Sequence, residues 1–247
     1  MKDNFSEQAA DYARYRPQYP RELFEYIIGL VSEKKFAWDC GTGNGQTAME
    51  LSRHFEKVYA TDISSKQIEY AVKEKNITYI VEPAESTGIE NNTTDLITVS
   101  QALHWFDFDK FYDEVKRVSK PGGLIAVWTY SLLQVDTITD ALIHKHHFDT
   151  LEKYWDEERK YVDDGYSSIP FPFEKINTPE FFIEVNWNTG DLEGYFNTWS
   201  ALQKFTRHNN YNPVPALMKE IKLHWRDGHT RKIIFPIHLK MAVVWPL

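Results

Sequence analysis

The sequence predicts an α/β fold, a mostly parallel sheet with helices on both faces, and three observations carry that expectation. Short β-rich apolar runs alternate with helix-periodic segments through the first half. The first run ends in a glycine-rich turn, Asp39-Cys40-Gly41-Thr42-Gly43-Asn44-Gly45. The helices between the runs carry their own start and stop residues, as right-handed βαβ crossovers require.

The chain opens on an amphipathic segment with Phe5, Ala9, Tyr12 and Ala13 at helical spacing, closed by Arg16-Pro17. A second helix starts at Pro20 and buries Leu23, Phe24, Ile27 and Ile28. Residues 36–38 lead into Asp39 as a buried strand, and residues 57–61 lead into Asp62 as another. Three more strands fall at 77–81, 96–100 and 124–129. Ser64 and Gln67 suggest a capping box, stapled by Ile63 and Ile68, on a helix with Ile68, Ala71 and Val72 on one face. A later helix begins near Asp107 or Asp109, carries Phe111, Tyr112, Val115 and Val118, and is stopped by Pro121-Gly122-Gly123.

After Tyr130 the alternation stops. Residues 131–180 read as a charged helix followed by a loop rich in Pro and Phe. A strand then lies near 181–187. One helix follows it, capped by Asp191 with Leu192, Tyr195, Phe196, Trp199 and Leu202 inward, and another begins at Asn212-Pro213 with Leu217, Ile221 and Trp225 inward. Residues 233–237 and 239–244 close the chain as strands. With 247 residues and no repeat or low-complexity linker, one domain with an insertion is expected.

Composition narrows the function classes. A 42% hydrophobic and 26% charged chain is an ordinary globular one, and its 15% aromatic content suits a ring-walled pocket or a large core. The net charge of -8, with basic residues in scattered pairs such as Lys34-Lys35 and Arg231-Lys232, argues against a nucleic-acid partner. The single cysteine, Cys40, allows no intrachain disulfide and fits a reducing compartment. Asp3, Glu7 and Asp11 interrupt any apolar leader, and the uncharged run 121–135 is shorter than the ~18 residues of a membrane span. A cytoplasmic protein with no membrane partner is expected; oligomeric state is left open.

A glycine turn after a buried strand lets backbone approach a nucleotide-like ligand at a helix N-terminus. The dinucleotide fingerprint would need a glycine where Gln46 stands. Asp39, just before the turn, would repel a pyrophosphate but suits a ligand bearing an ammonium and a sulfonium. Asp62 ends the second strand roughly 20 residues beyond Gly41, where an acid accepts hydrogen bonds from both ribose hydroxyls.

These segments resemble the class I S-adenosylmethionine-dependent methyltransferases. The 39–45 turn is similar to their glycine-rich motif, and Asp62 to their ribose-binding acid. Glu82-Pro83-Ala84-Glu85 resembles the segment beside the adenine, and Ser100-Gln101-Ala102-Leu103-His104-Trp105 the stretch lining the methionine end. Tyr12, Tyr15-Arg16-Pro17 and Tyr19-Pro20 resemble the opening of the type 11 group that includes trans-aconitate methyltransferases.

The resemblance covers residues 5–130. It implies a Rossmann-like sheet with an antiparallel C-terminal strand, and S-adenosyl-L-methionine as cofactor. It also implies a division into lid helices (1–31), cofactor-binding core (35–130), substrate-pocket insertion (131–180) and completion of the sheet (181–247). The implied cofactor residues are Tyr12, Arg16, Asp39, Gly41, Gly43, Asp62, Ile63, Ala84, Glu85, Ser100 and Gln101.

No Asn-Pro-Pro-Tyr-like motif follows the fourth strand, which speaks against base methylation, and no acid stands at Ser100-Gln101, so no metal is expected. His104 is the candidate catalytic base, or else a loop histidine ordering Trp105 or the cofactor. Cys40 reads as packing. His144, His146 and His147 read as a solvated or pocket-lining face, not a metal site. Residues 156–160 read as an exposed charged surface. An anionic substrate would need a cation, for which Arg14, Arg16 and Arg207 are candidates. The expected activity is methyl transfer to a small molecule, at a carboxylate or hydroxyl. A non-catalytic cofactor-binding protein and a nicotinamide-dependent oxidoreductase are the alternatives.

Overall fold

The computed structural model describes residues 15–245. The predicted first helix, with Tyr12, lies outside the described residues. Helix α1 (Arg21–Gly29) begins after Pro20, whose φ of -68° is already helix-compatible, and buries Leu23, Phe24, Ile27 and Ile28 as expected.

Strand β1 (Phe36–Cys40), helix α2 (Gln46–Ser52), β2 (Lys57–Asp62), α3 (Ser65–Tyr70), β3 (Ile77–Val81), β4 (Thr94–Ser100), α4 (Phe108–Val118) and β5 (Ser119–Tyr130) form the parallel half. The rest comprises α5 (Thr137–Lys145), α6 (Arg159–Asp163), β6 (Lys175–Ile176), β7 (Phe181–Trp187), α7 (Thr189–Asn197), α8 (Ser200–Asn209), α9 (Val214–Ile221) and β8 (Arg231–Val243). The sheet runs β3-β2-β1-β4-β5-β8-β6, with β7 also on β8. Pairs among β1 to β5 are parallel, and β8 runs antiparallel to β5, β6 and β7. This is the Rossmann-like sheet with an antiparallel C-terminal end.

Side-chain alternation along the strands divides the core into two layers. Ala37, Leu96, Ala126 and Trp128 pack on one face with α1, α2 and the C-terminal helices. Trp38, Ile97, Val99 and Val127 pack on the other with α4. Strand order reverses between β1 and β4, so a crevice opens beyond their carboxyl ends, where ligands of such sheets bind.

Several local expectations change. Helix α4 starts at its Asp107 cap but ends at Val118; Ser119 is already extended, and Pro121-Gly122-Gly123 lies inside β5. Helix α3 is a single short turn: Ser64 Oγ accepts from Gln67 N at 3.4 Å, but the helix buries none of its residues. Ile63 and Val72 are exposed, so neither a staple nor an apolar face forms. The charged helix of the insertion is instead α5, a π turn at His146–Thr150, a 3₁₀ turn at Glu152–Tyr154, and α6. The helix placed after β7 breaks at Trp199, which is extended, into α7 and α8. Its cap is Asn188, with Asp191 as the reciprocal partner of a capping box. The two closing strands are one, β8, whose long pairing with β5 and β7 spans the predicted gap at His238. Among the described residues, no helix is long and apolar enough to cross a membrane.

Candidate functional site

The turn after β1 owes its path to its glycines. Gly41, Gly43 and Gly45 have φ of 69°, 55° and 85°, a region that side chains disfavour. A Cβ on Gly41 would collide with Ala102 and Phe106, and one on Gly45 with the Tyr79 hydroxyl. Beneath the turn, Asp39 is 1% exposed and accepts from Thr42 Oγ1 at 2.5 Å and Thr98 Oγ1 at 2.8 Å. Burial pushes its carboxyl up to about 6, against those two hydrogen bonds. Asp39 braces the turn from below and does not line the cleft above it.

Asp62, at the end of β2, accepts from Gly43 N on Oδ2 and from Ser64 N on Oδ1, each at 2.8 Å. Its carboxylate lines a cleft of about 1270 Å³ measured out to its open mouth. Gly41, Gly43, Ile63, Ala84, Ser100 and Gln101 share these walls. Ser100 accepts from Thr47 Oγ1 at 3.2 Å. Gln101 has φ of 54°, unusual outside glycine, with its Oε1 held by Thr129 Oγ1 at 2.6 Å. Arg16 closes one end, donating from Nη1 to the Tyr130 hydroxyl at 2.9 Å and lying 5.3 Å from the Tyr195 ring centroid. Glu85 is set apart from the cleft: its Oε1 takes the Asp107 amide at 2.9 Å, before α4.

A second cleft of about 690 Å³ adjoins the first, and both are walled by Arg16, Gln101, Trp105 and Tyr130. His104, Trp155, Asp156, Arg159 and Tyr195 are on its other walls. The His104 ring Nδ1 lies 2.7 Å from the Tyr166 hydroxyl. Burial, helped by the Arg159 charge, holds its pKa down to about 3, so the ring is neutral near pH 7.

Arg159 and Asp156 belong to the run expected to be a solvated face. The reason for the difference is pairing outside the run: Asp156 is nearly buried against Lys204 of α8 at 2.6 Å, and Arg159 donates to Asp163 at 2.8 Å. A tryptophan four residues before Arg159 was the available signal, since the guanidinium stacks 4.5 Å over the Trp155 ring. Arg207 lines neither cleft, and Arg14 lies outside the described residues. His146 and His147 are buried, not solvated, because they continue the inward stripe of Thr139 and Ile143. Cys40 is fully buried, as packing predicts. Among the described residues, no group of three or more His, Cys, Asp or Glu is placed to hold a metal.

The first cleft suits an elongated, amphiphilic ligand. A glycine-rich backbone turn permits close approach, a carboxylate stands on one wall, and Ile63, Ala84 and Phe106 supply apolar surface. Arg16 adds a positive charge to the walls, on the side shared with the second cleft. That donor set fits an adenosine diol and base joined to an amino-acid carboxylate.

Comparison with known proteins agrees. Residues 38–127 match the family described as Methyltransferase domain. A Dictyostelium discoideum protein named as a methyltransferase is 34% identical over 97% of this chain and 94% of its own. A Saccharomyces cerevisiae protein named as an S-adenosylmethionine-dependent methyltransferase is 25% identical over 68% of this chain and 60% of its own. A solved structure described as a type II methyltransferase from Anaeromyxobacter dehalogenans superposes with a TM-score of 0.88 at 34% identity, covering 94% of this chain and all of that one. The chain belongs to the class I S-adenosylmethionine-dependent methyltransferases.

Proposed function

We propose that this enzyme methylates a carboxylate oxygen of a small organic acid held in the second cleft. The observation that carries the reading is Arg159, a guanidinium on the wall of a cleft that shares Arg16, Gln101, Trp105 and Tyr130 with the cofactor cleft. Asp62, the 41–45 turn and Ala84 would hold the adenosine half of S-adenosylmethionine. Ser100 and Gln101 would hold the methionine half, with Arg16 at its carboxylate. When bound, that cofactor supplies an electrophilic methyl on a positively charged sulfur.

The protein's part is alignment and exclusion of water. Trp105, Tyr130, Trp155 and Tyr195 give the second cleft aromatic walls that favour a compact, partly apolar acid over a polymer. A carboxylate attacks as it stands and loses no proton, whereas a hydroxyl or ammonium acceptor needs a base. His104 is held far below the pKa range in which a base works well near neutrality. We assign it the task of shaping the cleft together with Tyr166. The buried, solitary Cys40 suits a reducing, cytoplasmic setting.

The test is a screen for S-adenosylhomocysteine release across small carboxylic acids, phenols and amines. Turnover confined to acids supports the reading. Turnover confined to phenols or amines refutes it.

A further inference from the structure

We propose that His147 and Asp163 form a buried positioning pair that fixes Arg159 as the anchor for the acceptor's anionic group. The anionic part of this rests on the carboxylate reading above; the positioning part rests on geometry alone.

Helix α5 runs directly into the π turn at His146–Thr150, the kind of helical irregularity that recurs at functional sites. The turn opens with two buried residues, His146 and His147, which extend the inward stripe of Thr139 and Ile143. His147 is fully buried, with its ring centroid 4.7 Å from that of Trp155 and 5.3 Å from that of Trp199. Its Nε2 lies 3.3 Å from Asp163 Oδ1, while its buried Nδ1 has no hydrogen-bond partner. A neutral ring so placed carries its proton on Nε2 and donates it to the carboxylate.

The same Asp163 oxygen accepts from Arg159 Nε at 2.8 Å, one helical turn away in α6. Burial alone would raise the Asp163 carboxyl, but the His147 hydrogen bond and the Arg159 charge outweigh it and hold it below its ordinary value. A second restraint comes from the same histidine. Its carbonyl accepts the Trp155 indole N–H at 3.2 Å, and the Arg159 guanidinium lies 4.5 Å over that indole ring. Charge pairing and ring stacking therefore converge on one arginine in the acceptor cleft, and both trace back to His147.

With Nε taken by Asp163, the plane of the guanidinium is set before any ligand arrives. Among the described residues no other acceptor holds this guanidinium, so its two terminal nitrogens are available for the bidentate grip that carboxylates favour. A lysine would keep the charge but not the fork, the stack or the Nε bond. His147 acts through Asp163 and Arg159, and is a positioning residue.

The test uses the full-length enzyme saturated with S-adenosylhomocysteine and benzenesulfonate as probe, an aromatic anion whose sulfonate offers two oxygens to a guanidinium fork as a carboxylate does. Calorimetry should show binding to the native enzyme and none to Arg159→Met. Asp163→Asn and His147→Leu should each weaken it about tenfold or more, the scale of losing a hydrogen bond to a charged group. His147→Gln, which keeps an N–H donor, should recover most of that loss. S-adenosylhomocysteine affinity should be the same in all variants, which certifies the fold; Asp163→Asn, nearly isosteric, serves if His147→Leu does not fold.

With an acid acceptor, Asp163→Asn should raise KM while leaving kcat close to native. Undiminished benzenesulfonate binding and acceptor KM in Asp163→Asn would overturn the pair even if acids prove to be the substrates. If the screen finds only uncharged acceptors but Asp163→Asn still raises their KM, the carboxylate reading falls and the positioning pair stands.

Discussion

The amide of Gly43 donates to Oδ2 of Asp62 at 2.8 Å, tying the glycine turn after β1 to the acid that ends β2. The other carboxylate oxygen takes the Ser64 amide at the same distance. Two backbone donors thus set one side chain at the carboxyl end of β2, one strand from the switch point of the sheet, before any ligand binds.

Asp62→Ala should therefore weaken S-adenosylmethionine and S-adenosylhomocysteine alike. Loss of a charged acceptor toward the ribose costs about 1.5–3 kcal/mol. Calorimetry checks it, and an unchanged affinity would remove Asp62 from the site.

Gly41→Ala should destabilise the fold and abolish cofactor binding. Its left-handed backbone disfavours a side chain by roughly 1–2 kcal/mol, and the new methyl has no room beside Ala102. Gly29→Ala, in open space within α1, is the control. It should be neutral or stabilising by up to ~1 kcal/mol. Melting temperatures of the two variants measure both effects.

His104→Gln should slow methyl transfer only modestly, and the native rate should be flat across pH 6–8 apart from the acceptor's own titration. A histidine held at about 3 does not change charge in that window. A rate rising through a pKa near ~6.5 and lost in His104→Gln would restore the histidine as base.

Acid should destabilise the enzyme from about pH 6.5 downward, where a free histidine titrates. His104 and His146 are held at about 3 and about 4 by burial, and His147 is lowered for the same reason. For each, the unfolded chain binds the proton first, so the stability present above the unfolded pKa drains away as pH falls toward the folded one. The slope is about 1.4 kcal/mol per pH unit for each fully shifted group. Asp39, raised to about 6, acts in the opposite sense between about 6 and its ordinary 3.8, and offsets part of the loss. Thermal unfolding at pH 7.5 and 5.0 decides the sign; a melting temperature that rises on acidification contradicts it.

The parallel half of the fold was legible because its signals are local. Short β-rich apolar runs delimit β1 to β4, and the turn glycines and Asp62 sit at strand ends where the sheet topology gathers them. The second cleft was not legible. Arg159 looks like one charge in a solvated run until Asp163 and Trp155 are seen to hold it. His147 reads with His144 and His146 as one solvated or pocket-lining face, whereas His144 is exposed and His147 packs against Trp155 and Trp199. Spacing places Asp163 one turn from Arg159 and His147 on the stripe of Ile143, but which of these faces is covered depends on packing against Trp199 and α8. Asp39 illustrates the intermediate case: its position was readable, but its place beneath the turn followed only from the hydroxyls of Thr42 and Thr98.

The most direct test of the account is the fate of a labelled methyl group carried from S-adenosylmethionine onto the acceptor. Enzymatic transfer of the label should collapse in Arg159→Met, and mild alkali should release the label from the native enzyme's product as methanol, as an ester requires. A label that stays on the product through alkali, as an ether or methylamine would hold it, would contradict carboxylate methylation in the cleft of Arg159.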